Sequence, residues 1–425
     1  MHVWLITTGE PLPTDDGCDR YLRSAILADV MARNGHQVTF WSSTFDHVKK
    51  SHRYDTDTEV QLRSNYRLKL LHAAGYRQNI SWRRVWNHRG VARKFREQAA
   101  GTTPPDVILC SLPTLELCVE ATRYGRRHQV PVVVDVRDLW PDLFLDLVPP
   151  VARPAVQVLA TPFFRQVRAA CTQADAITGT TAEYVRWALG YAGRRATSRD
   201  RHFFMGYVES PPSTAQQHAA RNFWAGHGIR GDTGQFVACW FGMMGRHSEL
   251  DTVIAATKQI GGAFPQLRVV LCGDGPHRER LHQLAAGCPN VIMPGWVNAA
   301  QIWQLMRLSS VGLTPYVSNK NYIHNLTNKP IEYLSAGLPV ISSLQGVLAR
   351  LLADHDCGVT YRNRDVDQLS LAIRSLASDR QRWQLMSNHA TQVYREQFVA
   401  ERVYTQMQNY LLELAGGARV LQRAA

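Results

Sequence analysis

The chain has 425 residues, 45% of them hydrophobic and 20% charged, which excludes broad disorder and leaves room for two or more sizeable cores. Its formal net charge of +13 and pI near 9.5 point to anionic partners such as phosphorylated substrates, an acidic membrane surface or nucleic acid, although a basic solvated surface accounts equally well for charge alone. The eight cysteines form no CxxC pair, and several lie in apolar runs such as DVILCSLP around Cys110, so reduced core residues are expected rather than a disulfide framework or a metal site.

The run MHVWLITTG is short and lacks the basic start of a signal peptide, and no uncharged apolar run reaches membrane-spanning length. A cytoplasmic protein, soluble or peripheral at a membrane, is therefore expected. Residues 2–8 read as a buried strand ending in Gly9. The loop GEPLPTDDGCDR follows, then a helix over 20–34 and a strand over 36–42, which together make one βαβ unit without a GxGxxG loop. Gly17 in that loop permits close backbone approach to a ligand, or is a plain turn glycine. Residues 49–76 read as basic and irregular.

Residues 81–96 read as a helix in which Trp82, Val85 and Trp86 stand beside six arginines and lysines. Either this is a surface for anionic lipid, or the tryptophans face the core. Strands are expected over 106–110 and 130–136, around a helix over 115–128, which indicates a parallel sheet. RDLWPD follows the second of these strands. Ligands bind beyond the carboxyl ends of such strands, so Arg137 and Asp138 are well placed to meet one. The next segment, LFLDLVPPVARPAVQVLATPFF, is apolar but broken by four prolines. It reads either as a lipid-seeking segment or as a packed irregular connection. Further strands are expected over 174–180 and 202–207, and the polar residues 210–221 read as the interdomain linker or as lying just beside it.

The pattern then restarts. Strands over 236–241, 267–272, 291–294 and 311–315 alternate with helices over 250–260 and 278–286. GMMGRH follows the first strand and GDGP the second. Residues 319–343, NKNYIHNLTNKPIEYLSAGLPVISS, read as a polar loop with Thr327, Asn328 and Lys329, a helix opened by Pro330 with Glu332 in its first turn, and a short buried strand. A loop meeting a helix N-terminus is an anion site, and Glu332 is suited to accept two ribose hydroxyl hydrogen bonds. A carboxylate in an apolar helix is rarely buried without a hydrogen-bonding role. Residues 366–414 read as mostly helical, followed by a frayed tail from Gly416-Gly417.

Two tandem α/β halves, the GDGP loop and a glutamate-bearing helix followed by SAGLPVISS together resemble a GT-B glycosyltransferase, and more narrowly the retaining family 4 enzymes. HNLTNKPIEY and RDLWPD resemble its bacterial O-antigen and capsule transferases of the N-acetylfucosaminyl type. The implied fold is two facing doubly wound Rossmann-like domains with a C-terminal helical segment. The corresponding division is 1–209 (acceptor side), linker 210–221, 222–390 (nucleotide-sugar side) and 391–425, the last packing back on the first domain. The resemblance makes Glu332 the donor-ribose ligand and places Gly273, Asp274 and Gly275 near the nucleotide base. It brings Gly242 and Gly245 to the donor diphosphate, with Arg246 and Lys329 as its cations. Where relatives usually carry a first glutamate this chain has His324, which either touches the donor or has no catalytic duty.

Transfer from a nucleoside diphosphate sugar requires stabilised negative charge on the leaving diphosphate, which cations and a helix N-terminus supply without metal. Asp55-Thr56-Asp57 and Asp365-Val366-Asp367 have Asp-x-Asp spacing, but Asp365 stands where a helix cap is expected and Asp55-Thr56-Asp57 lies in a polar loop, so no metal is expected. No cofactor is expected beyond the nucleotide-sugar co-substrate, with UDP favoured by resemblance alone. The expected activity is retaining transfer to a polyprenyl-diphosphate-linked saccharide at the inner face of an anionic membrane, in surface polysaccharide biosynthesis, and no nucleic-acid partner is expected. A UDP-sugar 2-epimerase and a catalytically silent, membrane-associated transferase partner are the alternatives.

Overall fold

A computed structural model describes residues 1–15, 21–146, 148–231 and 233–424, with only the backbone of 418–424. Gly17 and Cys18 lie outside the described residues. The chain forms two compact units, residues 1–206 with 400–425, and residues 207–399.

The first unit is built on an eight-stranded sheet. Its strands are β1 (His2–Ile6), β2 (Gln37–Ser43), β5 (Thr58–Arg63), β6 (Tyr66–Leu71), β7 (Val107–Leu112), β8 (Val132–Val136), β9 (Ala176–Gly179) and β10 (Arg201–His202), while β3 (Phe45–Asp46) and β4 (Ser51–His52) form a separate antiparallel ribbon. The order is β10-β9-β8-β7-β1-β2-β6-β5, parallel except for β5 against β6. β1 is buried on both faces. Trp4 and Ile6 pack with Trp41 and Phe95 on one side, Val3 and Leu5 with Phe40 and Leu68 on the other, as the two-residue strand period requires.

The second core is completed by the helix Ala400–Ala424. Its Val403, Tyr404, Met407, Tyr410 and Leu411 lie on one helical face and join the cluster around Val3 and Leu5. This helix runs through Gly416 and Gly417, where sequence pointed to a frayed tail. Good helix formers on either side outweigh the roughly 1 kcal/mol that each glycine costs.

The second unit carries a six-stranded, wholly parallel sheet of β11 (Phe236–Phe241), β12 (Leu267–Cys272), β13 (Val291–Gly295), β14 (Val311–Thr314), β15 (Val340–Ser342) and β16 (Gly358–Thr360), in the order β13-β12-β11-β14-β15-β16. Both sheets reverse strand order beside their first strand, at β7-β1-β2 and at β12-β11-β14. That reversal opens a crevice at the carboxyl ends of those strands.

Three expectations are corrected here. Residues 210–221 lie just beside the boundary and not on it: Thr214–Gly226 is a helix started by a capping box between Ser213 and Gln216, and the boundary between the units falls at Gly206 and Tyr207. The stretch 49–76 holds the β5–β6 pair, hidden because β5 is a polar edge strand with alternating exposure. The proline-broken segment folds into short helices, Leu143–Asp146 and Arg153–Leu159, and then the longer Thr161–Gln173, in which Pro162 occupies a first-turn position where no amide is needed.

Candidate active site

In the second unit, the loops at the carboxyl ends of β11 and β12 interlock through backbone. Gly242 N–H donates to Cys272 O at 3.0 Å, Met244 N–H to Asp274 O at 2.8 Å, and Gly273 N–H to Gly295 O at 2.7 Å. Gly273 is required by this packing, since its φ is 133° and a Cβ there would stand 1.8 Å from Gly242 O. Gly242 is open on its other side to a side chain, with Lys329 Nζ 2.8 Å from where its Cβ would be. Gly245 and Gly275 continue the two loops, and Arg246 and Asp274 are exposed on them.

Lys329 comes from the helix Asn328–Ser335, so it stands in the first helical turn and Glu332 in the second, one turn later than sequence placed it. Thr327 occupies the N-cap position without capping. Its hydroxyl donates instead to Tyr316 Oη at 3.2 Å, and Lys329 Nζ lies 3.4 Å from the same oxygen. The first helical amides therefore lack a side-chain cap, an arrangement that an anion completes. The Lys329 ammonium also sits over the rings of Tyr316 at 5.6 Å and Trp240 at 5.8 Å. Glu332 is 4% exposed, and its charge adds to the burial that pushes the Tyr316 hydroxyl up to about 12. Tyr322 stacks on Tyr316 with ring centroids 4.8 Å apart, and His324 closes the short helix Lys320–Ile323 that carries Tyr322.

The structure thus gathers Gly242, Gly245, Gly273, Gly275, Thr327, Asn328, Lys329 and Glu332 around one switch point, with His324 on the adjoining turn. Sequence reading missed Tyr316, Trp240 and Tyr322. Tyr316 was within reach, because it follows the end of β14 and flanks the same crevice.

In the first unit, Arg137 belongs to an internal network. Its Nε meets Asp135 Oδ2 at 2.8 Å, its second nitrogen pairs with Glu10, and its third donates to Ser24 Oγ at 2.8 Å. Asp135, fully buried, also takes two bonds from Arg23, at 2.9 and 3.0 Å. All three Arg137 nitrogens are thereby committed within the fold. Asp138 is half-buried, and its Oδ1 accepts from Leu139 N–H at 3.0 Å. Asp142 anchors the end of RDLWPD by accepting from Trp187 Nε1 at 2.6 Å and Tyr191 Oη at 2.5 Å.

Beside Gly9, which has a φ of 83°, lies a cluster that sequence did not single out. His47 Nδ1 is 2.6 Å from Tyr76 Oη, and burial with Lys50 and Arg84 nearby pushes His47 down to about 4. The Arg84 guanidinium lies 4.6 Å over the Trp140 ring. Behind it, burial drives His88 down to about 3 and raises the Glu116 carboxyl.

Both Asp-x-Asp matches serve the fold. Asp365 caps the helix Val366–Ser378 through Gln368 N–H, and Asp57 pairs with Lys94 at 2.8 Å. No group of three or more possible metal-binding side chains occurs among the described residues. Nor is any helix among them long and apolar enough to cross a membrane. Seven cysteines are free thiols, and all but Cys288 are buried.

Residues 235–379, within the second unit, match the family model of group 1 glycosyl transferases. A sulfoquinovosyl transferase of Arabidopsis thaliana is 25% identical over 136 residues, 31% of this chain and 26% of that protein, so the match spans about a quarter of the relative. Among solved structures, a sucrose-phosphate synthase from Thermosynechococcus elongatus superposes with a TM-score of 0.71 at 17% identity, covering 98% of this chain and 99% of that one. HepE of Anabaena, solved in complex with UDP, gives 0.65 at 16% identity, with coverage of 97% and 99%. WaaG, a glycosyltransferase involved in lipopolysaccharide biosynthesis, gives 0.63 at 13% identity, again with 97% and 99%. The fold is that of the GT-B glycosyltransferases.

Proposed function

We propose that this chain, GT-B in fold and carrying a group 1 glycosyl transferase region in its second unit, moves a sugar from a nucleotide-sugar donor, with UDP the favoured nucleotide. The observation that carries the reading is the Lys329 ammonium seated against Gly242 at the uncapped start of the helix that bears the buried Glu332. Glu332 takes the ribose hydroxyls. Lys329, the helix N-terminus and Arg246 hold the diphosphate and stabilise its charge as the glycosidic bond to the donor breaks. No metal is assigned to this step. The glycine loops bring backbone amides close to the same phosphates, and Asn328 and Thr327 order the helix start.

The acceptor is a lipid-linked saccharide bound by the first unit, with Asp138 orienting its hydroxyl and Arg137 fixing the strand end from which Asp138 projects. Transfer is retaining, occurs at the inner membrane face and serves surface polysaccharide assembly. Exposed Trp82 and Trp86 on an arginine-rich helix support the membrane part of this reading. His324 lies on the turn leading to the donor helix, where it contacts donor sugar or phosphate.

The test is incubation with a panel of nucleotide sugars and a polyprenyl-diphosphate saccharide, read by mass spectrometry. A gain of one sugar on the acceptor is expected. Interconversion of the donor without acceptor would identify an epimerase, and UDP binding without transfer would identify a silent partner.

A further inference from the structure

The first unit contains a second concavity of about 590 Å³, lined by Ile80, Trp82, Val85, Trp140, Phe144 and Leu159, with Arg84, His88 and Glu116 among its polar wall. Its size lies in the range that seats a small organic ligand. Two observations set it apart from an ordinary surface hollow. Its lips are apolar but face solvent, since Ile80 is 58% exposed, Trp82 67% and Leu159 78%. Its polar wall is incompletely satisfied: Arg84 Nε is buried and has no hydrogen-bond partner among the described residues, beside a Glu116 carboxyl that is 8% exposed. A buried donor left unpaired is costly, so an unpaired guanidinium N–H in a pocket wall fits a site completed by a ligand.

The composition of the site selects the ligand. The unpartnered Arg84 Nε is an N–H donor on a cation, which calls for an anionic acceptor on the head of the ligand. Arg84 holds its guanidinium against the Trp140 ring, and Arg83, Arg89 and Arg93 lie on the same helix. Outward from Arg84 the walls turn to tryptophan, phenylalanine and branched aliphatic side chains. We propose that this groove binds a single-chain anionic amphiphile, its phosphate head on Arg84 and its hydrocarbon chain along Trp82, Phe144 and Leu159. Resting on the lipid-linked acceptor reading, the proposal makes the groove the seat of that acceptor's phosphate and of the first part of its chain. The concave shape and the buried, unpaired Arg84 Nε in its wall favour one chain over contact with a flat membrane surface.

Dodecyl phosphate, below its micelle concentration, is the probe, titrated calorimetrically into the full chain beside inorganic phosphate. Saturable 1:1 binding of dodecyl phosphate, with none by inorganic phosphate at equal concentration, is expected. Arg84→Gln should weaken it about tenfold or more, the loss of one charge-assisted hydrogen bond. Leu159→Asp, on an exposed lip where folding is not at stake, should weaken it through the chain alone. Arg93→Gln, on the same helix outside the groove, should leave affinity within about twofold, a surface charge being worth little.

Equal binding of inorganic phosphate and dodecyl phosphate would overturn the proposal. So would vesicles of phosphatidylglycerol binding wild type, Arg84→Gln and Arg93→Gln alike while dodecyl phosphate does not bind, which identifies a flat membrane contact. Transfer to a lipid acceptor with a KM unmoved by Leu159→Asp would sink the groove and leave the transferase standing. Dodecyl phosphate binding without transfer from any donor would sink the transferase reading and leave the groove.

Discussion

Gly242→Ala separates a steric role of the glycine loop from the chemical role of Lys329. The new Cβ would lie 2.7 Å from Lys329 Cε, 2.8 Å from Lys329 Nζ and 3.4 Å from Trp240 Cζ2. Trp240 is fully buried and cannot retreat, so the lysine terminus must swing away. The backbone φ of 154° adds strain of about 1–2 kcal/mol for a residue with a side chain, a fall of roughly 2–8 °C in the melting of a unit of this size. If Lys329 holds the departing diphosphate as proposed, displacing that one charge-assisted contact removes about 1.5–3 kcal/mol of transition-state stabilisation, roughly 10- to 150-fold in kcat/KM. The assay is steady-state nucleotide release with acceptor present, run on wild type, Gly242→Ala, Lys329→Gln and the double variant. If alanine acts by moving the lysine, the double variant should be about as slow as Lys329→Gln alone. Additive losses, or a fully active Gly242→Ala, would refute the reasoning.

Gly273→Ala is expected to be far worse, because its Cβ would meet backbone, Gly242 O, at 1.8 Å; circular dichroism should show the second unit failing to fold cooperatively. Arg137→Ala should destabilise the first unit by about 3–5 kcal/mol, since it strips a partner from buried Asp135 and Glu10. Unchanged melting with lost turnover would instead give Arg137 a direct part in acceptor binding. Folded His88 and His47, held neutral down to about 3 and about 4, sit below the ordinary histidine value, so the unfolded chain takes up protons first as pH falls. The stability they permit is complete above about pH 6.5 and lost as pH falls toward those values, at up to about 1.4 kcal/mol per pH unit for buried His88 and less for half-buried His47, which water screens. Melting curves from pH 7 to 4 should show that slope, and His88→Gln should flatten it.

The two parallel sheets were legible because buried strands announce themselves as short branched-aliphatic runs. FVACWF and LRVVLC fold over the residues expected, and Leu115–His128 forms the helix its pattern demands. The glycine loops after β11 and β12 were legible for a related reason, since glycines at strand ends mark close backbone approach. What hid was chemistry made by distance in sequence. The His47–Tyr76 pair joins loops 29 residues apart, and Arg84 meets Trp140 from another element altogether. Arg137 looked available because RDLWPD alone does not reveal that Glu10 and Ser24 take up its guanidinium. Polar edge strands and short proline-led helices escaped because their local patterns match those of loops.

The central claim is that the helix Asn328–Ser335 binds a nucleotide through the Glu332 carboxylate and its ribose. Calorimetric affinities of UDP and 2′,3′-dideoxy-UDP, measured for wild type and Glu332→Ala, test it most directly. Wild type should prefer UDP by about tenfold or more, the worth of hydrogen bonds to a charged group, and Glu332→Ala should bind both nucleotides alike and weakly. A Glu332→Ala protein that still prefers UDP by the wild-type margin would contradict the account.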